Sequence, residues 1–170
     1  NQIVNPALSE RFGIDFSTAG LVTTIWGVGC MVGAFCGGAL MDRFGDRTAL
    51  IAAVCAVAVT LVLVAFVPTL TLAYAAVGLF GVAYGSTQAI YFALAMRYTK
   101  PAIAASMYAI LMAVTNVGQG IGLALGGVLS KSAGYTATFL AFAVIIFITL
   151  AFFPVLYRKG NEAPGVSSVS

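Results

Sequence analysis

The chain has 170 residues, of which 61% are hydrophobic and 8% charged, with no histidine and a mean hydropathy of +1.05. Soluble domains run at about 45–50% apolar and about 25% charged, so this chain has too little polar surface to cover a water-soluble globule and belongs in a lipid bilayer. A net charge of +3 drawn from eight basic and five acidic residues excludes a nucleic-acid partner. With no His and no carboxylate cluster, a metalloenzyme is not expected, and neither a metal nor a cofactor is expected.

Residues 1–16 open without a Met and carry Pro6 and an amphipathic Leu8 to Phe12. They read as an extracytoplasmic segment at the exit of a preceding helix, and the chain reads as part of a longer protein. Residues 17–157 form a five-helix transmembrane domain. A span needs about 20 apolar residues to cross about 30 Å of hydrocarbon, and five stretches qualify: 17–41, 49–67, 70–96, 101–129 and 135–156. The β-strand alternation of a membrane barrel is missing. Short connections fall at 42–47, 68–69, 97–100 and 130–134, which makes successive helices antiparallel. Pro101 fits the first turn of the fourth helix, and Pro154 is placed to bend or fray the fifth. Cys30, Cys36 and Cys55 lie inside apolar runs without C-x-x-C spacing and read as small hydrophobes.

Basic residues orient the bundle. Arg43, Arg47, Arg97, Lys100, Arg158 and Lys159 fall on one side of five crossings, and only Arg11 and Lys131 on the other. The C-terminus is therefore expected in the cytoplasm, with 158–170 a cytoplasmic tail of an integral plasma-membrane protein.

Glycines recur at helical spacing. Gly29, Gly33 and Gly37 mark one face of the first span, Gly118, Gly122 and Gly126 one face of the fourth, and Gly78, Gly81 and Gly85 a similar stripe in the third. Such stripes let backbones approach in lipid, where helix association lacks a hydrophobic drive. Smooth faces also let helices slide.

The run Gly38-Ala39-Leu40-Met41-Asp42-Arg43-Phe44-Gly45-Asp46-Arg47 stands at the cytoplasmic exit of the first span. It resembles the signature loop G-x-L-x-D-R-x-G-r-r of the major facilitator superfamily. Gly38, Leu40, Asp42, Arg43, Gly45 and Arg47 match, and Asp46 departs where the family usually has a basic residue. The resemblance implies an all-α membrane transporter of twelve helices in two halves, each with inverted three-helix repeats. It further implies that Asp42 docks on the opposite half, which is outside this chain. Within the chain, Arg97 is the candidate partner for Asp42 or Asp46. A charged latch of this kind forms in one state and breaks in another. The third span lacks an Arg and the fourth an internal Pro, and a short polar tail follows the fifth. Because the family's N-terminal half usually carries an Arg in its fourth helix and a Gly/Pro-rich pattern in its fifth, the resemblance implies that the five spans are helices eight to twelve, the C-terminal half. The stretches Tyr91 to Arg97 and Ala104 to Ala109 are also similar to the muropeptide and acetyl-CoA permease branch.

A substrate would sit near the bilayer midplane. Tyr84, Gln88 and Tyr91 share one face of the third span, and Tyr108, Thr115 and Gln119, with Asn116 at the flank, share one of the fourth. They are the cavity candidates, although Gln, Asn and Tyr also serve as bonds between helices. Trp26, over the glycine face of the first span, reads as a packing residue. No Asp, Glu, His, Lys or Arg lies in the middle of a span, so any coupling residue of that kind belongs to the missing half of the transporter. The expectation is secondary-active transport of a small organic solute by alternating access, with membrane lipid and a missing half, a partner chain or a homodimer mate around it. The alternative is a polytopic assembly or scaffold protein that does not transport. An enzyme is not expected, because no buried nucleophile–base pair exists.

Overall fold

The computed structural model describes residues 3–97 and 99–160, with side chains as far as residue 149. Helix α1 spans Val4–Phe12, α2 Phe16–Phe44, α3 Asp46–Ala65, α4 Leu70–Arg97 and α5 Ala104–Gly160, with a 3-10 turn at Pro101–Ile103 before α5. Among the described residues there is no strand. Hydrocarbon cannot hydrogen-bond a backbone, so a chain this apolar satisfies its N–H and C=O groups along its own helices.

Two of the four connections are tighter than the sequence predicts, while the one expected at 68–69 is longer and runs from 66 to 69. The expected loop at 42–47 is helical on both sides of one residue, Gly45, at φ 78° and ψ 164°. The expected loop at 130–134 is helical through 133 and breaks only at Gly134, at φ 80° and ψ 166°. This region of backbone space is essentially closed to residues with a Cβ, so one glycine does what a loop of ordinary residues would need several positions to do.

The break divides α5 into two limbs, 104–133 and 135–160. As one straight rod the apolar stretch Pro101–Thr149, 49 residues long, would reach about 70 Å at 1.5 Å per residue, over twice a bilayer core. Instead the limbs double back: a Cβ on Gly126 would lie 3.3 Å from the ring of Phe142, and those two residues stand equally far on either side of Gly134. The helices long and apolar enough to span a membrane are α2, α3, α4 and α5, the last of them folded into two limbs at Gly134. Pro154 does not end α5, whose helical backbone runs to Gly160. The expected tail therefore starts inside a helix, and residues 161–170 lie outside those described.

Residues 4–12, expected only as the exit of a preceding helix, form α1. Pro6 sits in its first turn, where its missing N–H leaves no bond unmade, and Gly13 at φ 60° ends it by donating to the Ser9 carbonyl at 2.9 Å. Asp15 then starts α2, accepting from the Phe16 N–H at 2.7 Å and the Ser17 hydroxyl at 2.8 Å. The Ser17 hydroxyl, then the Phe16 N–H, hold its carboxyl below the ordinary carboxylate range.

Helix α4 is the centre of the bundle, packed on α2 along one side and α3 along another. Its seam with α2 is backbone against backbone. A Cβ on Gly29 would stand 2.5 Å from the Gly78 carbonyl oxygen and one on Gly37 2.7 Å from that of Ser86, while one on Gly33 would overlap the Val82 carbonyl. The Ser86 hydroxyl, buried in this seam, donates to the Gly33 carbonyl at 2.8 Å and back to Val82 of its own helix at 2.9 Å. The second limb of α5 closes the core over α3, where Phe139 and Ala143 join Val64, Ala65 and the α1 residues Val4 and Leu8. Large apolar side chains on the outer faces, such as Phe35, Leu79 and Val117, remain exposed.

Candidate functional site

Helical spacing places Gln88 one turn beyond Tyr84 on α4, and the Gln88 amide donates to the Tyr84 hydroxyl at 3.0 Å. From the first limb of α5, Gln119 donates to the same hydroxyl at 3.2 Å. Tyr84 stands near the middle of α4 and Gln119 near the middle of residues 104–133, so the hub lies at midplane depth. Both lone pairs of the hydroxyl are used, and its own proton and the two amide oxygens are left for a ligand. Around it, the Trp26 ring of α2 lies 5.8 Å and the Phe80 ring 6.2 Å from that of Tyr84. The Trp26 indole N–H is buried with no hydrogen-bond partner among the described residues. Buried donors are normally paired, so this N–H is a further unused group beside the hub.

The other cavity candidates divide. Tyr91 and Tyr108 are both exposed and stand on either side of Phe92, at ring distances of 5.4 Å and 5.6 Å. They form a second aromatic contact between α4 and the first limb, about two turns from the hub. The Thr115 hydroxyl bonds back to the Leu111 carbonyl of its own helix at 2.8 Å. Asn116 is exposed. Sequence reasoning missed Phe92, which carries no polar signal, and treated Trp26 as packing; its position one turn before Cys30, with Trp26 facing Gly81 and Cys30 facing Gly85 of α4, is the signal that brings it to Tyr84.

At the end of the bundle bearing the Gly38 to Arg47 run, Arg97 of the last turn of α4 pairs with Asp46 of the first turn of α3. Its Nη1 is 2.6 Å from both carboxylate oxygens. Of the two partners the sequence allows, the structure takes Asp46, the residue that departs from the loop pattern. Asp42 is exposed on the last turn of α2, and Arg47 is exposed at the start of α3. Arg43 lies over the Phe44 ring, 5.6 Å from its centre, Gly45 makes the turn, and a Cβ on Gly38 would meet nothing within 4 Å. The glycine faces also differ: Gly29, Gly33 and Gly37 are buried against α4, a Cβ on Gly118 or Gly122 would meet nothing within 4 Å, and Gly126 faces Ile3 and Phe142. Among the described residues no group of His, Cys, Asp and Glu is placed to hold a metal ion.

Long apolar helices, two of whose turns are single glycines, define a polytopic integral membrane protein. The family model described as Major Facilitator Superfamily matches residues 1–168, and the chain belongs to that family. Its members are transporters rather than enzymes, and its general role is transmembrane transport. No match is found among curated proteins, and the resemblance to the muropeptide and acetyl-CoA permease branch receives no support.

Proposed function

We propose that this chain is the C-terminal half of a secondary-active transporter, helices eight to twelve, which moves a small neutral or amphipathic organic solute by alternating access. The observation that carries the reading is the Tyr84 hydroxyl, bonded at once by Gln88 of α4 and Gln119 of the first limb of α5. These two elements meet at few other points, so a solute that takes over the Gln119 bond changes what holds the limb to α4. The hub has no formal charge, which suits a ligand held by hydrogen bonds and aromatic faces. In this reading the Asp46–Arg97 pair is the in-chain latch at the cytoplasmic end of a plasma-membrane protein, with the C-terminus on the same side. Asp42, Arg43 and Arg47 would face the opposite half, which would also complete the cavity.

The test is uptake of a panel of labelled neutral solutes by the full-length protein in liposomes. Tyr84→Phe keeps the ring and removes the shared acceptor; uptake of the transported solute should fall about tenfold, the value of one or two buried hydrogen bonds. Asn116→Ala should leave uptake near that of the wild type. Unchanged uptake in Tyr84→Phe would remove the hub from the transport path.

The second reading, a scaffold that does not transport, draws on the open face at Gly118 and Gly122, which suits a helix of another chain or a homodimer mate as well as one of a missing half. Asp42→Asn separates the two. A gate loses uptake with the charge, whereas a scaffold keeps its partner.

A further inference from the structure

At the end of the bundle away from the Asp46–Arg97 pair, α1, the last turn of α3 and the first turns of the second limb of α5 enclose a cavity of about 220 Å³. A water molecule takes roughly 30 Å³, so the space suits a larger ligand. Its floor is apolar, made by Leu8, Val64 and Phe139, each at least nine-tenths buried. Its polar lining is Glu10, Arg11, Tyr135 and Thr136. Helix α3 has 20 residues, about the thickness of a hydrocarbon core. A pocket at its end therefore opens at headgroup depth, with the apolar floor toward the acyl region.

The two charges are held differently. Arg11 Nη1 donates to the carbonyl of Ala65, the last residue of α3, at 3.1 Å. That bond, at the negative end of a helix, fixes the guanidinium at the pocket and leaves most of its five N–H donors unspent. Glu10 precedes it on α1, is exposed, and forms no ion pair among the described residues. A fixed cation and an unpaired anion side by side above an apolar trough are complementary to a zwitterion with a hydrocarbon tail.

We propose that this pocket binds a phospholipid with a primary-amine headgroup. The phosphodiester lies on Arg11, the ammonium on Glu10, and the start of an acyl chain over Leu8, Val64 and Phe139. A primary ammonium gives a carboxylate three N–H donors, whereas the quaternary ammonium of a choline headgroup gives none. Glu10 is thus the selecting residue and Arg11 the anchoring one. The inference does not depend on what the protein transports.

The experiment is native mass spectrometry of the full-length protein released from nanodiscs of equal phosphatidylethanolamine and phosphatidylcholine, with thermal melting alongside. The wild type should retain phosphatidylethanolamine in preference. Arg11→Gln should lower retained phospholipid about tenfold, as expected for a lost charge-assisted bond, and Arg11→Lys should restore much of it. Glu10→Gln should keep phospholipid bound but equalise the two headgroups. Retention by Arg11→Gln at the wild-type level would overturn the proposal. So would equal losses in Arg11→Gln and Arg11→Lys with a matching fall in melting temperature, which would make Arg11 only a tie to Ala65. An unchanged headgroup ratio in Glu10→Gln would overturn the selection. Displacement of the lipid by millimolar inorganic phosphate would show a simple anion site instead.

Discussion

The glycine faces of α2 and of the first limb of α5 have the same spacing, and each is followed eight residues after its last glycine by a hinge glycine of nearly the same backbone conformation, Gly45 and Gly134. Their surroundings are opposite. On α2 every glycine of the stripe is pressed on the backbone of α4, and Ser86 locks the seam with a hydrogen bond. On the limb, Gly118 and Gly122 face open space and only Gly126 is covered. A small-residue stripe therefore records where a backbone is able to come close, and the contact itself depends on which helix arrives. Within this chain α2, α3 and α4 form the fixed part, and the first limb of α5 is held to α4 at the Tyr84 hub and the Phe92 cluster.

The sharpest way to break that comparison is to add one methyl group to each face. Gly33→Ala must push the Val82 backbone away, so melting of the purified protein should show a loss of about 1–3 kcal/mol, the usual cost of overpacking. Gly122→Ala has room, and replacing a mid-helix glycine should leave stability unchanged or raise it by up to about 1 kcal/mol. If both melt alike, the limb stripe is packed in the native protein and the contrast fails. The hinges should instead behave as a pair. Gly45→Ala and Gly134→Ala each force a Cβ into a region open essentially to glycine, at about 1–3 kcal/mol apiece; a loss at only one of them would show that the other hinge relaxes.

Smaller effects are expected at the ends of the helices. Asp46→Asn removes a pair whose arginine is 60% exposed, so stability should change by no more than about 1 kcal/mol. In the transport reading the same change raises labelling of a cysteine placed beside Tyr84 from that end of the bundle; unchanged labelling would reduce the pair to a surface tie. The least effect belongs to Asp15. Its carboxyl is held below the ordinary range by Ser17 and Phe16, so its contribution is complete above the unfolded-state pKa and is lost as pH falls through the lower folded-state value. Asp15→Asn should flatten that acid limb in a pH series of melting temperatures and leave the neutral-pH value close to wild type.

The spans were legible because long apolar runs have one solution in a bilayer. Turn length was not, since nothing in Gly45 or Gly134 as letters says that one residue suffices to reverse the chain; that depends on a backbone conformation visible only in the folded state. Helix α1 was hidden by Pro6, which reads as a breaker unless it falls in a first turn. At the candidate site, Tyr84 and Gln88 followed from one-turn spacing on a single helix, and matched depth pointed to Gln119. Thr115 is also polar and lies one turn from Gln119 on the same helix, yet it spends its hydroxyl on Leu111 of its own helix, a choice that sequence spacing does not encode. Trp26 and Phe92 reach the clusters through packing between helices, for which a single apolar letter carries no address.

The contrast between a locked seam and a loosely held limb is tested most directly by spin-label distances in a cysteine-free background of the full-length protein. One pair, at Val28 and Leu79, reports on α2 against α4; a second, at Leu79 and Val117, reports on α4 against the limb. All three residues are exposed, so labels there leave the core alone. The account predicts one narrow distribution for the first pair and a broader or multiple one for the second. Equal widths, or a broad first pair beside a narrow second, would contradict it.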